Sequence, residues 1–301
     1  MSEVVIVGSM ATDTIETPFK KVSNVLGGSA TYASYASSFF CKPGIVAVIG
    51  NDFSKDHLNL LTERGISLDG LKIDPASKTF HWEGSYEYDM NEAKTLRTEL
   101  NVLETFKAEL PVSYKNAKYL FLGNIDPELQ LSVIAQMNKP KFIIADTMNF
   151  WIQHKKQELE KVIKKVDMLL INDGEARQFF ETTNLVKAAR MGLKMGLGAI
   201  IIKKGEHGAL LFTRSGYFAT PGYPLENVID PTGCGDSFGG GLTGYLAKSD
   251  DLSDPNLKKA VIYGSVLASF NAEDFSLERM KKLKMSDIEG RYQEFRAMRE
   301  F

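Results

Sequence analysis

The segment Val228-Ile229-Asp230-Pro231-Thr232-Gly233-Cys234-Gly235-Asp236-Ser237-Phe238 starts apolar, breaks at a proline, passes two glycines and meets an aspartate. A helix-compatible run follows, Gly239-Gly240-Gly241-Leu242-Thr243-Gly244-Tyr245-Leu246-Ala247. This is the pattern of a loop that delivers its backbone N–H groups to a helix start. The first N–H groups of a helix have no partner within it, and the helix dipole adds positive potential, so the place suits an anion. Glycines let a ligand come close to the backbone. Asp236 would repel a phosphate unless it has work to do. Two uses compete: a cap for the helix N–H groups, or a base that takes the proton of a hydroxyl attacking a phosphoryl group. Asp230 in the same loop favours the second, as do the glycines inside the helix. Each such glycine is unfavourable relative to alanine, so the group needs close packing or a ligand to explain it.

Short apolar runs recur on either side of this segment, at 4–8, 44–50, 119–123, 142–146, 168–172 and 199–203, with helical stretches between most of them. Such alternation predicts an α/β fold with a parallel sheet covered on both faces. Ligands of these sheets gather beyond the carboxyl ends of strands. Asp13, Asn124, Asp126, Asp146 and Asn149 fall at or just past such ends. The stretch Thr79-Phe80-His81-Trp82-Glu83-Gly84-Ser85-Tyr86-Glu87-Tyr88 differs, with aromatic residues among polar ones. It predicts exposed antiparallel strands.

The 301 residues are 44% hydrophobic and 25% charged, enough for a full core, and no linker or repeat divides them. A net charge of −2 gives no reason to expect a nucleic-acid or anionic-membrane surface. Without a signal-peptide pattern or a membrane-length apolar run, a cytoplasmic setting is expected. Cys41 and Cys234 form neither a metal spacing nor a disulfide framework.

The Asp-Pro-Thr-Gly-Cys-Gly-Asp run at 230–236 resembles the C-terminal signature of the ribokinase-like (PfkB) carbohydrate and nucleoside kinases, usually Asp-Thr-x-Gly-Ala-Gly-Asp. The family's other landmarks follow in order over nearly the whole chain. The resemblance implies a ribokinase-like three-layer sandwich, with a mostly parallel central sheet and a small β-sheet lid from segments near 12–24 and 71–103. It implies ATP and Mg2+ as cofactors and a small sugar or nucleoside as acceptor, with the lid also able to serve as a homodimer face. Asp236 would be the base, and the amides of Gly233, Cys234 and Gly235 the anion hole. Asp13, Gly27, Gly28 and Ser29 would hold the acceptor. Many members have Asn shortly after the diglycine; this chain has Thr31 and Tyr32 there, which leaves the acceptor's identity open.

By the same resemblance Asn172 and Glu175 would act on the metal–phosphate complex through water, a sparse set that suits magnesium. The pair also reads as a capping box, and the Asn can do both. Lys203 and Gly205 would border the nucleotide, Asn271 would edge the adenine pocket, and Asp230 would help hold a monovalent cation such as K+.

Other readings fall away or stay secondary. Gly239-x-Gly241-x-x-Gly244 matches a dinucleotide fingerprint but lies inside the helix, and no Walker motif is present. Cys234 as a nucleophile lacks a histidine placed as its base. A nucleotide- or sugar-sensing module would have no need of Asp236. The expectation is an ATP-dependent kinase acting on a sugar hydroxyl, with a nucleoside as the alternative acceptor.

Overall fold

The computed structural model describes residues 2–300. In chain order the strands are β1 (Val4–Val7), β2 (Ala11–Glu16), β3 (Lys21–Gly27), β4 (Pro43–Gly50), β5 (Ser67–Asp74), β6 (Phe80–Tyr86), β7 (Ala93–Glu99), β8 (Tyr119–Leu122), β9 (Phe142–Ala145), β10 (Met168–Asn172), β11 (Ala199–Lys203), β12 (Ala209–Thr213) and β13 (Tyr217–Thr220). The helices are α1 (Ser29–Ser37), α2 (Lys55–Glu63), α3 (Pro127–Gln136), α4 (Asn149–His154), α5 (Lys156–Ile163), α6 (Asp173–Phe179), α7 (Leu185–Lys194), α8 (Cys234–Ser249), α9 (Asp254–Asn271) and α10 (Met285–Ala297).

Nine strands form one sheet in the order β13-β12-β11-β10-β9-β8-β1-β4-β5. Pairing is parallel except where β12 meets β11 and β13. Side chains alternate across a strand, so β1 feeds two cores. Val4 and Ile6 join residues of α1, α2, α8, α9 and α10 on one face. Val5 and Val7 join α3, α5, α6 and α7 on the other. This is the expected three-layer sandwich. The order reverses at β1, where the chain first builds outward through β4 and β5 and later through β8 to β13. A crevice opens at such a reversal.

The second sheet, β3-β2-β6-β7, is the lid. Its extent corrects the expectation at one end: residues 71–74 belong to β5, which pairs with β4 in the main sheet. Nor is the lid wholly antiparallel, since β6 runs parallel to β2. A chain crossing between sheets before β6 explains both differences. No helix among the described residues is long and apolar enough to cross a membrane.

Helix α8 packs on α1 and α9, and its glycines are the contact surface. A Cβ on Gly239 would strike the Phe121 ring, one on Gly240 the Ala33 backbone, and one on Gly244 the backbone of Ser37. Helix packing, not a ligand, thus accounts for these weak helix formers. Gly240→Ala gains about 1 kcal/mol of helix propensity, yet the collision is with backbone, and overpacking costs about 1–3 kcal/mol. The variant should melt below wild type in a thermal scan despite its better helix former.

Candidate active site

The loop before α8 is tied down from one side. The amides of Ile229 and Asp230 donate to the Ala272 carbonyl at 2.8 and 3.3 Å. Asp230 accepts from the amides of Thr232 (2.9 Å) and Ser276 (3.4 Å) on its two carboxylate oxygens. Any cation at Asp230 would share those oxygens with protein donors. Asn271, fully buried, donates to the Thr232 carbonyl at 2.7 Å and accepts from the Ser237 hydroxyl at 3.2 Å. This corrects its expected place at the adenine edge: its amide is spent bracing the loop.

Gly233 then turns the chain with φ of 76°, and a Cβ there would collide with the Tyr32 ring. Both facts require glycine. Helix α8 begins with no side-chain cap. Asp236 is its third residue, so it is not the cap that an isolated aspartate would suggest. Among the described residues, the amides of Gly233 and Gly235 have no protein acceptor, whereas Cys234 donates to the Pro231 carbonyl at 3.1 Å. The expected anion hole thus loses one of its three donors to the turn. The 231–236 segment is half-buried, open to a ligand.

Lys203 ends β11 with its Nζ 2.6 Å from Asp146 Oδ2, and the ammonium lies 3.1 Å from where a Cβ on Gly235 would stand. It therefore lies beside Gly235 at the start of α8. Burial works against its charge, but Asp146 and Glu175 outweigh burial and raise its pKa. The carboxylates nearby feel the opposite pressure. Burial, then Asp146, pushes Asp236 up to about 7 against the opposing pull of Lys203. Glu175 rises to about 7, mainly through burial, and Asp230 to about 6 for the same cause.

Asn172 and Glu175 form a complete capping box, with bonds of 2.7 and 2.9 Å. The structural use is therefore realised, and Asn172 remains exposed at the strand end. Among the described residues no three His, Cys, Asp or Glu side chains converge on a metal position. Three carboxylates around one ammonium nevertheless leave unbalanced negative charge. That donor set fits Mg2+, which keeps several waters and takes few protein oxygens.

On the acceptor side, Asp13 is buried in β2 and accepts from the Gly28 amide, while burial, then Asp230 and Asp236, holds its carboxyl well above the usual range. Gly27 packs so closely on this carboxyl that a Cβ would strike it, and Gly28 takes φ of 95° against the Ser9 carbonyl. Ser29 is a correction. Its hydroxyl accepts from the Ser9 amide at 3.0 Å and donates to the Asn124 carbonyl at 3.4 Å, which fastens α1 to the ends of β1 and β8.

The lid closes over these groups. Trp82 pairs directly with Asp13 across β2 and β6, half-exposed on the same face. The Tyr86 hydroxyl meets Thr232 Oγ1 at 3.1 Å. Asn91 donates to Glu206 at 3.2 Å and also packs against Gly205, which places that glycine under the lid tip. Asp146, Trp82, Tyr86 and Tyr32 are functional candidates that sequence patterns did not single out. Each carried only an indirect signal: Asp146 its position at a strand end, Tyr32 its place after the diglycine, and Trp82 and Tyr86 the aromatic stretch of the lid. Cys234 is settled as inert: its thiol donates to the Ala268 carbonyl at 3.4 Å, and burial pushes its pKa to about 12.

An uncapped glycine-turn helix, a carboxylate in its first turn and a two-layered crevice under a β-lid define a ribokinase-fold phosphotransferase. The chain belongs to the pfkB family of carbohydrate kinases, whose profile matches residues 1–281, and it is a kinase of that family. It is 28% identical to a cytidine kinase of Thermococcus kodakarensis over 252 residues, 81% of this chain and 89% of that one. A nucleoside kinase of Methanothermobacter thermautotrophicus is 25% identical over 266 residues, 86% of this chain and 82% of that one. The fold matches the crystal structure of the Methanocaldococcus jannaschii nucleoside kinase with a TM-score of 0.78 at 19% identity, covering 97% of this chain and 98% of that one. The Burkholderia thailandensis nucleoside kinase in complex with inosine gives 0.78 at 20%, over the same shares.

The raised Asp236 pKa has a stability signature. Its ordinary value is 3.8, and in the fold it is about 7. The fold thus favours the neutral form, and that contribution is complete below about pH 4 and lost as pH rises through 7. Asp236→Asn keeps the group neutral. Its melting temperature should rise relative to wild type between about pH 4 and pH 7 and keep a constant lead above pH 7, as thermal scans without nucleotide will show.

Proposed function

We propose that the protein transfers the γ-phosphoryl group of ATP to a hydroxyl of a pentose-containing acceptor, a nucleoside in the first place. The observation that carries the kinase chemistry is Asp236 in the first turn of an uncapped helix whose Gly233 and Gly235 amides are unpaired, with the Lys203 ammonium beside Gly235. Asp236 takes the proton as the acceptor oxygen attacks. A pKa near neutrality suits a base that must be ionised yet still basic. The two amides and the Lys203 ammonium stand ready for charge that spreads over the transferring group. Asn172 and Glu175 would hold Mg2+ through water, and with ATP bound that ion neutralises phosphate charge. Asp13 orients the acceptor by accepting from its hydroxyl. Trp82 and Tyr86 exclude water that would otherwise hydrolyse the nucleotide.

The nucleoside reading is supported by Trp82, half-exposed on the lid strand paired with that of Asp13, an aromatic ring on which a base can stack. The relatives named above, cytidine and nucleoside kinases, point the same way. A free sugar is the second reading: a deoxyribokinase of Salmonella typhimurium is 37% identical over 78 residues, 26% of this chain and 25% of that one.

Turnover with ATP and Mg2+ across cytidine, inosine, ribose, deoxyribose and fructose tests both. A nucleoside should give the highest kcat/KM, and a free sugar in that place would reverse the order. Asp236→Asn should bind nucleotide as wild type does while turnover collapses. A loss of less than about tenfold, roughly 1.4 kcal/mol of barrier, would remove Asp236 from the role of base.

A further inference from the structure

Away from the crevice, β13, α9 and α10 enclose an open hollow of about 230 Å3. Its floor is apolar, since Phe218 of β13, Ile262 of α9 and Phe295 of α10 are all buried. Tyr292, stacked on Tyr263 with ring centres 4.4 Å apart, adds a wall. Four exposed cations complete the lining, Lys258 and Lys259 from α9 and Arg296 and Arg299 from α10. Among the described residues Lys258, Lys259 and Arg299 make no ion pair, and Arg296 has only Glu300, at 3.9 Å. Attraction to an aromatic ring accounts for two of the four: Lys258 and Arg299 lie over Phe218 at 6.0 and 4.3 Å from its centre. Lys259 and Arg296 have no such partner and still line the same hollow. The whole chain carries a net charge of −2, so four positive charges here are a local excess, and a bound anion would relieve their mutual repulsion.

The lining also restricts the kind of anion. A buried apolar floor favours a flat, apolar body, and guanidinium planes stack on aromatic rings. The volume admits one small molecule and no extended peptide. At 1.5 Å per residue, Lys258 stands roughly 20 Å along α9 from Asn271, so the hollow is separate from the crevice. We propose that it is a second ligand site, which takes a nucleoside monophosphate with the base against the aromatic floor and the phosphate among the four cations. The hollow stands apart from the kinase reading. The choice of a nucleoside phosphate among aromatic anions rests on that reading, because phosphoryl transfer to a nucleoside releases one.

Equilibrium dialysis with CMP, IMP and AMP at low salt tests the site without turnover. Wild type should bind a second equivalent of at least one of them, beyond the one held in the crevice. Lys258→Ala/Arg299→Ala should bind that equivalent at least about tenfold more weakly, with kcat and both KM values within about twofold of wild type. Lys259→Ala/Arg296→Ala leaves both cations on Phe218 in place and should lose the second equivalent too, which keeps the test open if the first variant fails to fold. Equal binding by wild type and both variants overturns the proposal. Inorganic phosphate or ribose 5-phosphate competing as well as the mononucleotide also overturns it, since the floor would then hold no base. A wild type inert toward every acceptor named above, with its second equivalent intact, would defeat the kinase reading and leave the site standing.

Discussion

The backbone-to-backbone contact of α8 with α1 fixes everything else at the site. Gly240 sits on Ala33 and Gly244 on Ser37, so the two helices approach more closely than side chains would allow. Their first turns then meet as well, where Gly233 lies against Tyr32. One helix start carries the diglycine that wraps Asp13, and the other carries Asp236 and the unpaired amides. The distance between acceptor and phosphoryl positions is thus set by packing rather than by loop conformation. Rigid helices hold such geometry better than loops do.

Against that rigid frame the site collects charge that the fold does not favour. Asp13, Asp230, Asp236 and Glu175 all have carboxyls raised by burial, and Lys203 is the cation that Asp236 and Glu175 both feel. The supports around the site are paired, as the capping box at Asn172 and the brace at Asn271 show. Folded proteins concentrate such local conflicts where ligands resolve them. On the proposed function, a metal–nucleotide complex and a hydroxylated acceptor would supply the missing partners.

Much of this was legible in residue order. Apolar runs ending in polar residues marked the main parallel sheet, because a strand buried on both faces has no polar positions to spare. The 230–236 segment marked a glycine turn leading into a helix, and the fold places an uncapped helix start there. Tertiary partnerships were not legible. Ser29 and Asn271 have the chemistry of ligand-binding residues, and only the fold reveals that Ser9 and Thr232 already occupy them. The pairing of Lys203 with Asp146 joins residues 57 positions apart, and no local pattern announces it. The edge of the lid was misread because no local pattern shows that β5 pairs with β4 in the main sheet while β6 pairs with β2 in the lid.

Strand β2 belongs to the lid, yet it carries Asp13. The cover and the hand that grips the acceptor are therefore one piece of backbone. With Tyr86 on Thr232 and Asn91 on Glu206, the cover is held down while Asp13 lies against Gly27. On the proposed function, gripping the acceptor and keeping water out would thus be coupled through a single strand.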